Sequence, residues 1–157
     1  MPMTPLLGAA LLDPSLYISE LKVRRKPSVL QQLVERATRA GAVREPAVLC
    51  ATLNLRERLF GTGIGKGVAV PHARSIAVSE SRLVIARSRR GLSWDAADGI
   101  AVQHVLMVLS PAEMGEEAHL EFVSRVAAIG RLQRNRVKLL DAQEFHEVAA
   151  LFSECIG

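Results

Sequence analysis

Leu55-Arg56-Glu57-Arg58-Leu59-Phe60-Gly61-Thr62-Gly63-Ile64-Gly65-Lys66-Gly67-Val68-Ala69-Val70-Pro71-His72-Ala73-Arg74 is the least ordinary stretch of this 157-residue chain. It leaves a helix, crosses a glycine-rich loop and enters a strand. Gly61, Gly63, Gly65 and Gly67 stand at every second position. Glycine permits positive φ and close backbone approach. Such a loop reads either as a tight turn ahead of a strand or as N–H groups turned toward an anion. Val68-Ala69-Val70 reads as a short strand. Pro71 removes one N–H and stiffens the exit, so His72 is presented from a fixed backbone. An unprotonated imidazole is a good nucleophile near neutral pH. A lone histidine is more often a structural or surface residue.

Neither common nucleotide pattern fits the loop. Gly65-Lys66 match the middle of G-x-x-x-x-G-K-[ST], but Phe60 stands at the first glycine and Gly67 at the Ser/Thr. The G-x-G-x-x-G pattern fails at Lys66 counted from Gly61, and at Val68 counted from Gly63. No helix is expected to open after this loop.

Upstream, Ser28 and Gln31 make an S-x-x-Q capping pattern with Pro27 outside it. Leu30, Leu33, Val34 and Ala37 then fall on one helical face, and Gly41 ends the helix. A second helix is expected from Pro46, with Val48, Ala51, Leu55 and Leu59 as its apolar stripe. Downstream, Leu83 to Ala86 reads as a strand that extends toward Arg90. Gly91 to Gly99 is turn-rich. Ile100 to Leu109 reads as a central strand buried on both faces and ended by Pro111. A third helix is expected from Glu116 to Leu132, with Leu120, Val123, Val126 and Ala127 inward and Glu116 and Glu117 in its first turn. A last helix is expected from Asp141, where Asp141 and Glu144 have capping-box spacing and Phe145, Val148, Ala149 and Phe152 form the apolar face. The order of elements predicts a single α/β domain over residues 1–157, a mixed sheet covered by helices.

Composition bounds what this fold does. Hydrophobic residues make up 49% and charged residues 23%, an ordinary globular balance. Aromatics make up only 4%, which disfavours nucleic-acid binding by base stacking. The formal net charge is +4, and arginine supplies 16 of the 20 cations. That bias permits anionic partners without requiring nucleic acid. Leu6 to Leu12 is too short and wrongly flanked for a signal peptide, and no run is long enough for a membrane span, so a cytoplasmic protein without membrane insertion is expected. Cys50 and Cys155 are far apart and read as buried free thiols. No metal-ligand pattern is present. His104, in mid-strand, reads as a core histidine and His146 as a surface one. His119 opens the third helix just after the central strand ends, where sites gather in α/β sheets.

The stretch 55–74 closely resembles the active-site signature of the enzyme IIA domain of the bacterial phosphotransferase system, fructose/mannitol type, approximately R-E-x-x-x-x-T-G-I-G-x-G-[VI]-A-[VI]-P-H. Ser110-Pro111 followed by His119-Leu120, and Lys26 ahead of the first helix, extend the resemblance over nearly the whole chain. It implies a mixed β-sheet with helices on both faces. It implies that His72 accepts a phosphoryl group from a histidine-containing phosphocarrier protein, with His119 as second active-site histidine and Arg56 as the arginine before the loop. Thr62, Gly63, Gly65 and Gly67 are then phosphoryl-loop residues, and Phe60 and Lys66 face the partner. Positive charge at Arg56, Lys66 and Arg74 would face the phosphoryl group. No metal, nucleotide or other cofactor is implied, because the donor is already a phosphohistidine.

Three positions depart from the family pattern. Phe60-Gly61 replace small residues, Lys66 stands where Asn is common, and Ala73 where Gly is common. A chain with no room for a fused IIB or IIC domain looks like the regulatory, nitrogen-related branch, which controls target proteins according to phosphorylation state. The alternatives are a sugar-transport enzyme IIA that passes phosphate to a separate IIB protein, and a binding module of the same fold that is not phosphorylated.

Overall fold

A computed structural model describes residues 11–156, and side chains as far as residue 153. Leu6 to Ala10 and the Cys155 thiol lie outside the described residues.

Among the described residues the sheet is mixed and has six strands. Strand β1 (Tyr17–Ile18) runs parallel to β5 (Arg82–Leu92), which pairs antiparallel with β6 (Val102–Pro111). The other edge of β6 carries two short strands end to end, both parallel to it. They are β3 (Val68–Ala69) and β4 (His72–Ser75). Strand β2 (Gly63–Gly65) folds back antiparallel on β3. Part of the expected glycine loop is therefore the outer strand of a hairpin. Val70 and Pro71 interrupt what would otherwise be one strand along β6, and the Val108 N–H still reaches the Pro71 carbonyl at 2.9 Å.

Side chains along β6 alternate between faces, as a strand period of two requires. Val105, Met107 and Leu109 join a core under α1 (Lys26–Arg39) and α2 (Pro46–Leu59). Leu106 and Val108 join a second core under α3 (Glu116–Arg131), α4 (Gln133–Asp141) and α5 (Phe145–Ile156). Helices thus cover both faces, as expected. Strand β6 is central and buried, though it starts at Val102 and leaves Ile100 half exposed. Gly130 lets α3 approach the sheet: a Cβ there would stand 3.0 Å from Val68 Cγ1.

Several local expectations are corrected. Helix α1 begins at Lys26, with Pro27 inside its first turn and no side-chain cap, so Ser28 is not the N-cap. Its inward face is as expected: Leu30, Leu33, Val34 and Ala37 are buried. In α2 the buried residues are Leu49, Leu53 and Glu57, while Val48, Leu55 and Leu59 face outward. In α3, Leu120 is exposed and Phe122 is buried, shifting the inward face. Helix α4 was not expected, and Asp141 ends it rather than opening α5, which begins at Phe145. The α4 start is held by Asn135, whose Nδ2 donates to the Ile129 carbonyl at 2.9 Å. Among the described residues no helix is long and apolar enough to cross a membrane.

Candidate functional site

His72 is the first residue of β4, just beyond the interruption at Val70-Pro71. Its Nδ1 lies 2.8 Å from the Val70 carbonyl oxygen. A carbonyl only accepts, so Nδ1 carries the proton and the lone pair of the neutral ring is on Nε2. Burial pushes the His72 pKa down, and the Arg56 charge adds to that. The Val70 hydrogen bond and the Glu57 charge pull the other way without cancelling it. The ring is neutral near pH 7.

His119 lies in the first turn of α3 and is buried. Its ring centroid is 5.7 Å from that of His72. Ser110, at the end of β6, is 2.7 Å from His119 Nδ1 through its Oγ. His119 Nε2 is buried and has no hydrogen-bond partner among the described residues. Burial, then the proximity of His72, Arg56 and Arg74, lowers the His119 pKa to about 4. Both imidazoles are therefore neutral at physiological pH, and the arginines nearby carry the positive charge.

A cleft of about 250 Å³ opens beside His72. Arg56 and Phe60 come from the end of α2, Gly61, Thr62 and Ile64 from the following segment, and Val123, Ser124, Ala127 and Arg131 from α3. Arg56 and Arg131 each end a helix, and among the described residues neither guanidinium has a carboxylate partner. Val70 and Ala127 give the cleft an apolar floor. Two unpaired guanidiniums over such a floor suit a small, multiply charged oxyanion group.

The predicted residues divide between the two ends of the β2–β3 hairpin. His72, His119, Arg56, Thr62 and Phe60 gather at one end. Gly65, Lys66 and Gly67 form the tip at the other, with φ of 89°, 58° and 85°. Because β2 runs opposite to β3, the chain moves away from His72 as it passes from Gly63 to Gly65. At the tip, the Lys66 N–H donates to Asp98 Oδ2 at 2.8 Å, and the Gly67 carbonyl accepts from Gln103 and His104. Gly63 is paired with Ala69. The glycines thus shape a hairpin, and the anion-cradle reading does not hold at Gly65–Gly67; Lys66 is on the far side from the cleft. Arg74 donates from Nη1 to the Ala112 and Met114 carbonyls, at 3.0 and 3.2 Å, and so braces the loop after β6.

Four residues at the site had no role from sequence: Glu57, Ser110, Ser124 and Arg131. Val123, Ala127 and Arg131 stand at i, i+4 and i+8, a spacing that marks one helix face and would have found Arg131. Glu57 stands inside the quoted stretch, buried behind Thr62. Ser110 entered the sequence reading only with Pro111, as a match at the end of the central strand and with no role of its own.

Comparison with known proteins agrees with this fold. The family described as phosphoenolpyruvate-dependent sugar phosphotransferase system, EIIA 2, matches residues 10–155. A nitrogen regulatory protein of Bradyrhizobium diazoefficiens is 33% identical over 154 residues, 96% of each chain. A fructose-specific EIIA component of Haloferax volcanii is 32% identical over 131 residues, 83% of this chain and 84% of that one. The crystal structure of the nitrogen regulatory protein IIA-Ntr from Neisseria meningitidis superposes with a TM-score of 0.81 at 28% identity, over 91% of this chain and 97% of that one.

Proposed function

Because the chain belongs to the phosphoenolpyruvate-dependent sugar phosphotransferase system EIIA 2 family, and so is an EIIA phosphoryl-transfer protein, we propose that His72 accepts the phosphoryl group on Nε2 from a histidine-containing phosphocarrier protein. The observation that carries this reading is the 2.8 Å contact of His72 Nδ1 with the Val70 carbonyl, which leaves the lone pair on Nε2. The Nε2 lone pair attacks phosphorus in line, a new P–N bond forms, and the bond to the donor's imidazole breaks with its electron pair returning to that ring. Positive charge develops on the His72 ring. The Nδ1–H bond to a carbonyl strengthens as it does, which favours the transition state over the ground state. The transferred group needs placement and charge neutralisation more than covalent help. Arg56 supplies charge from the end of α2. His119 supplies a ring nitrogen, Nε2, able to donate to a phosphoryl oxygen. The carrier works in the cytoplasm.

The further reading is a regulatory, nitrogen-related carrier that binds target proteins in one phosphorylation state. The end-to-end likeness to a nitrogen regulatory protein supports it. A second reading, a transport EIIA that hands the phosphoryl group to a IIB protein, is supported by the fructose-specific relative at nearly equal identity. Incubation with radiolabelled phosphorylated carrier protein tests the first step: wild type takes up an acid-labile label and His72→Ala takes up none. Equal labelling of the two would remove His72 from the role. Offering the labelled protein a fructose-type IIB then separates the branches, since a regulatory carrier keeps its label and a transport EIIA loses it.

A further inference from the structure

Behind His72 runs a chain of polar contacts that reaches the other face of the sheet. Lys26, in the first turn of α1, places Nζ 3.1 Å from Glu57 Oε2 and 5.2 Å from the centre of the Trp94 ring. The Glu57 side chain is 4% exposed and lies under the end of α2. It accepts from the Thr62 hydroxyl on Oε1 and from the Thr62 N–H on Oε2 at 3.3 Å. The Thr62 carbonyl accepts the Val70 N–H at 2.9 Å. The Val70 carbonyl, one peptide on, accepts from His72 Nδ1. The Val70 residue is therefore gripped at its N–H by Thr62 and at its C=O by His72, and Thr62 is gripped by Glu57.

We propose that Lys26, Glu57 and Thr62 are positioning residues that fix the Val70 carbonyl against His72 Nδ1, so that an ion pair beneath α1 decides which imidazole nitrogen holds the lone pair. The proposal rests on His72 being the phosphoryl acceptor only for its effect on rate; the tautomer it predicts is independent of any phosphoryl donor. A buried carboxylate is stable there only with its charge and lone pairs met. Here Lys26 meets the charge and Thr62 meets two acceptor sites, so the three residues are ordered together or not at all. Misplacing a nucleophile by about 1 Å costs up to about 100-fold in rate.

The test uses the intact protein and two variants that keep volume. Thr62→Val removes the hydroxyl without changing shape, and Lys26→Met removes the charge. Thr62→Ser and Lys26→Arg restore the hydroxyl and the charge. Nitrogen-15 NMR of the imidazoles reads the tautomer of His72. Wild type shows protonated Nδ1; Thr62→Val and Lys26→Met, with native melting transitions, show the proton shared between Nδ1 and Nε2. Their phosphoryl uptake falls about 10-fold, and the serine and arginine variants recover both readouts. The other groups facing His72, Arg56 and His119, are unchanged in these variants, so a tautomer shift reports the chain that runs through Glu57 and Thr62. An unchanged tautomer ratio in both folded variants overturns the proposal. A shifted ratio in a protein whose wild type takes up no phosphoryl group sustains it while removing the carrier reading.

Discussion

His72 and His119 are two imidazoles in one site, kept neutral for overlapping reasons and suited to different work. His72 keeps a defined lone pair because its Nδ1 proton has a carbonyl to go to. His119 is buried more deeply, has Ser110 at Nδ1, and keeps a second nitrogen with no partner among the described residues. A nucleophile must be unprotonated, so phosphoryl uptake should be level through neutral pH and fall only as His72 protonates, below its ordinary 6.5. Arg56 is one of the groups that hold that pKa down; burial is the larger. Arg56→Gln therefore moves the midpoint of the fall upward, toward 6.5, while lowering the plateau rate because charge is lost beside the transferred group. Initial rates of label uptake between pH 5 and 8 check both changes. A midpoint that moves downward would show that Arg56 does not act on His72 by its charge. At this scale the sequence was most informative where a residue type carries chemistry, as at His72, His119 and Arg56. It assigned Glu57 and Ser110 no role beyond their places in the family pattern, because their importance comes from what they touch.

Helix α2 shows why patterns of apolar residues can point to the wrong face. Val48, Ala51, Leu55 and Leu59 make a fair stripe, and Leu49 and Leu53 make another. Counting apolar residues favours the first. The fold buries the second because Glu57, at i+4 from Leu53, has Lys26 and Thr62 to pair with underneath. A charged residue on the inner face looks wrong until its partners, 31 and 5 positions away, are known. Leu53 is 2% exposed and Leu55 50%. Leu53→Ala should therefore cost about 2–5 kcal/mol in unfolding free energy, and Leu55→Ala less than about 0.5 kcal/mol. Urea denaturation of the two variants measures this, and equal losses would mean that α2 presents a different face. The outward stripe runs on to Phe60, 74% exposed at the rim of the cleft, so the apolar surface left over by α2 ends beside the nucleophile. The same reasoning explains the hairpin. The alternating glycines announced an unusual backbone, but only pairing with Val68 and Ala69 shows which end meets the site.

Across the whole molecule, much of the arginine excess serves the backbone. Arg87 is buried and gives Nη1 to the carbonyls of Leu139, Leu140 and Ala142, and Nε to that of Ser19. Arg136 reaches the carbonyls of Gly130 and Arg131. Apart from that of Ser19, just after β1, these carbonyls lie at or near the ends of α4 and α3, where they lack helical partners and the helix dipole favours a cation. Between these arginines sits His104, buried on β6 opposite Arg87, with its pKa lowered to about 4 by burial first and then by Arg87 and Arg136. His119, on the same side of the sheet, is likewise lowered to about 4. Both titrate near 6.5 when exposed in the unfolded chain. Above about pH 6.5 neither state takes up a proton at these rings and stability does not depend on them. Between about pH 6.5 and about pH 4 the unfolded chain binds protons that the folded chain refuses, so stability falls as the pH falls, and the slope flattens below about 4. Asp13 and Asp98 are lowered below 3.8 and contribute only at still lower pH, so they leave this window to the histidines. Urea midpoints measured from pH 8 to pH 4 should hold level to about 6.5 and then decline, with His104→Gln declining less steeply than wild type because one of the refused protons is gone. A midpoint that stays constant from pH 7 to pH 5 would mean that these imidazoles take up protons in the folded state, and that the arginines around His104 do not hold it neutral.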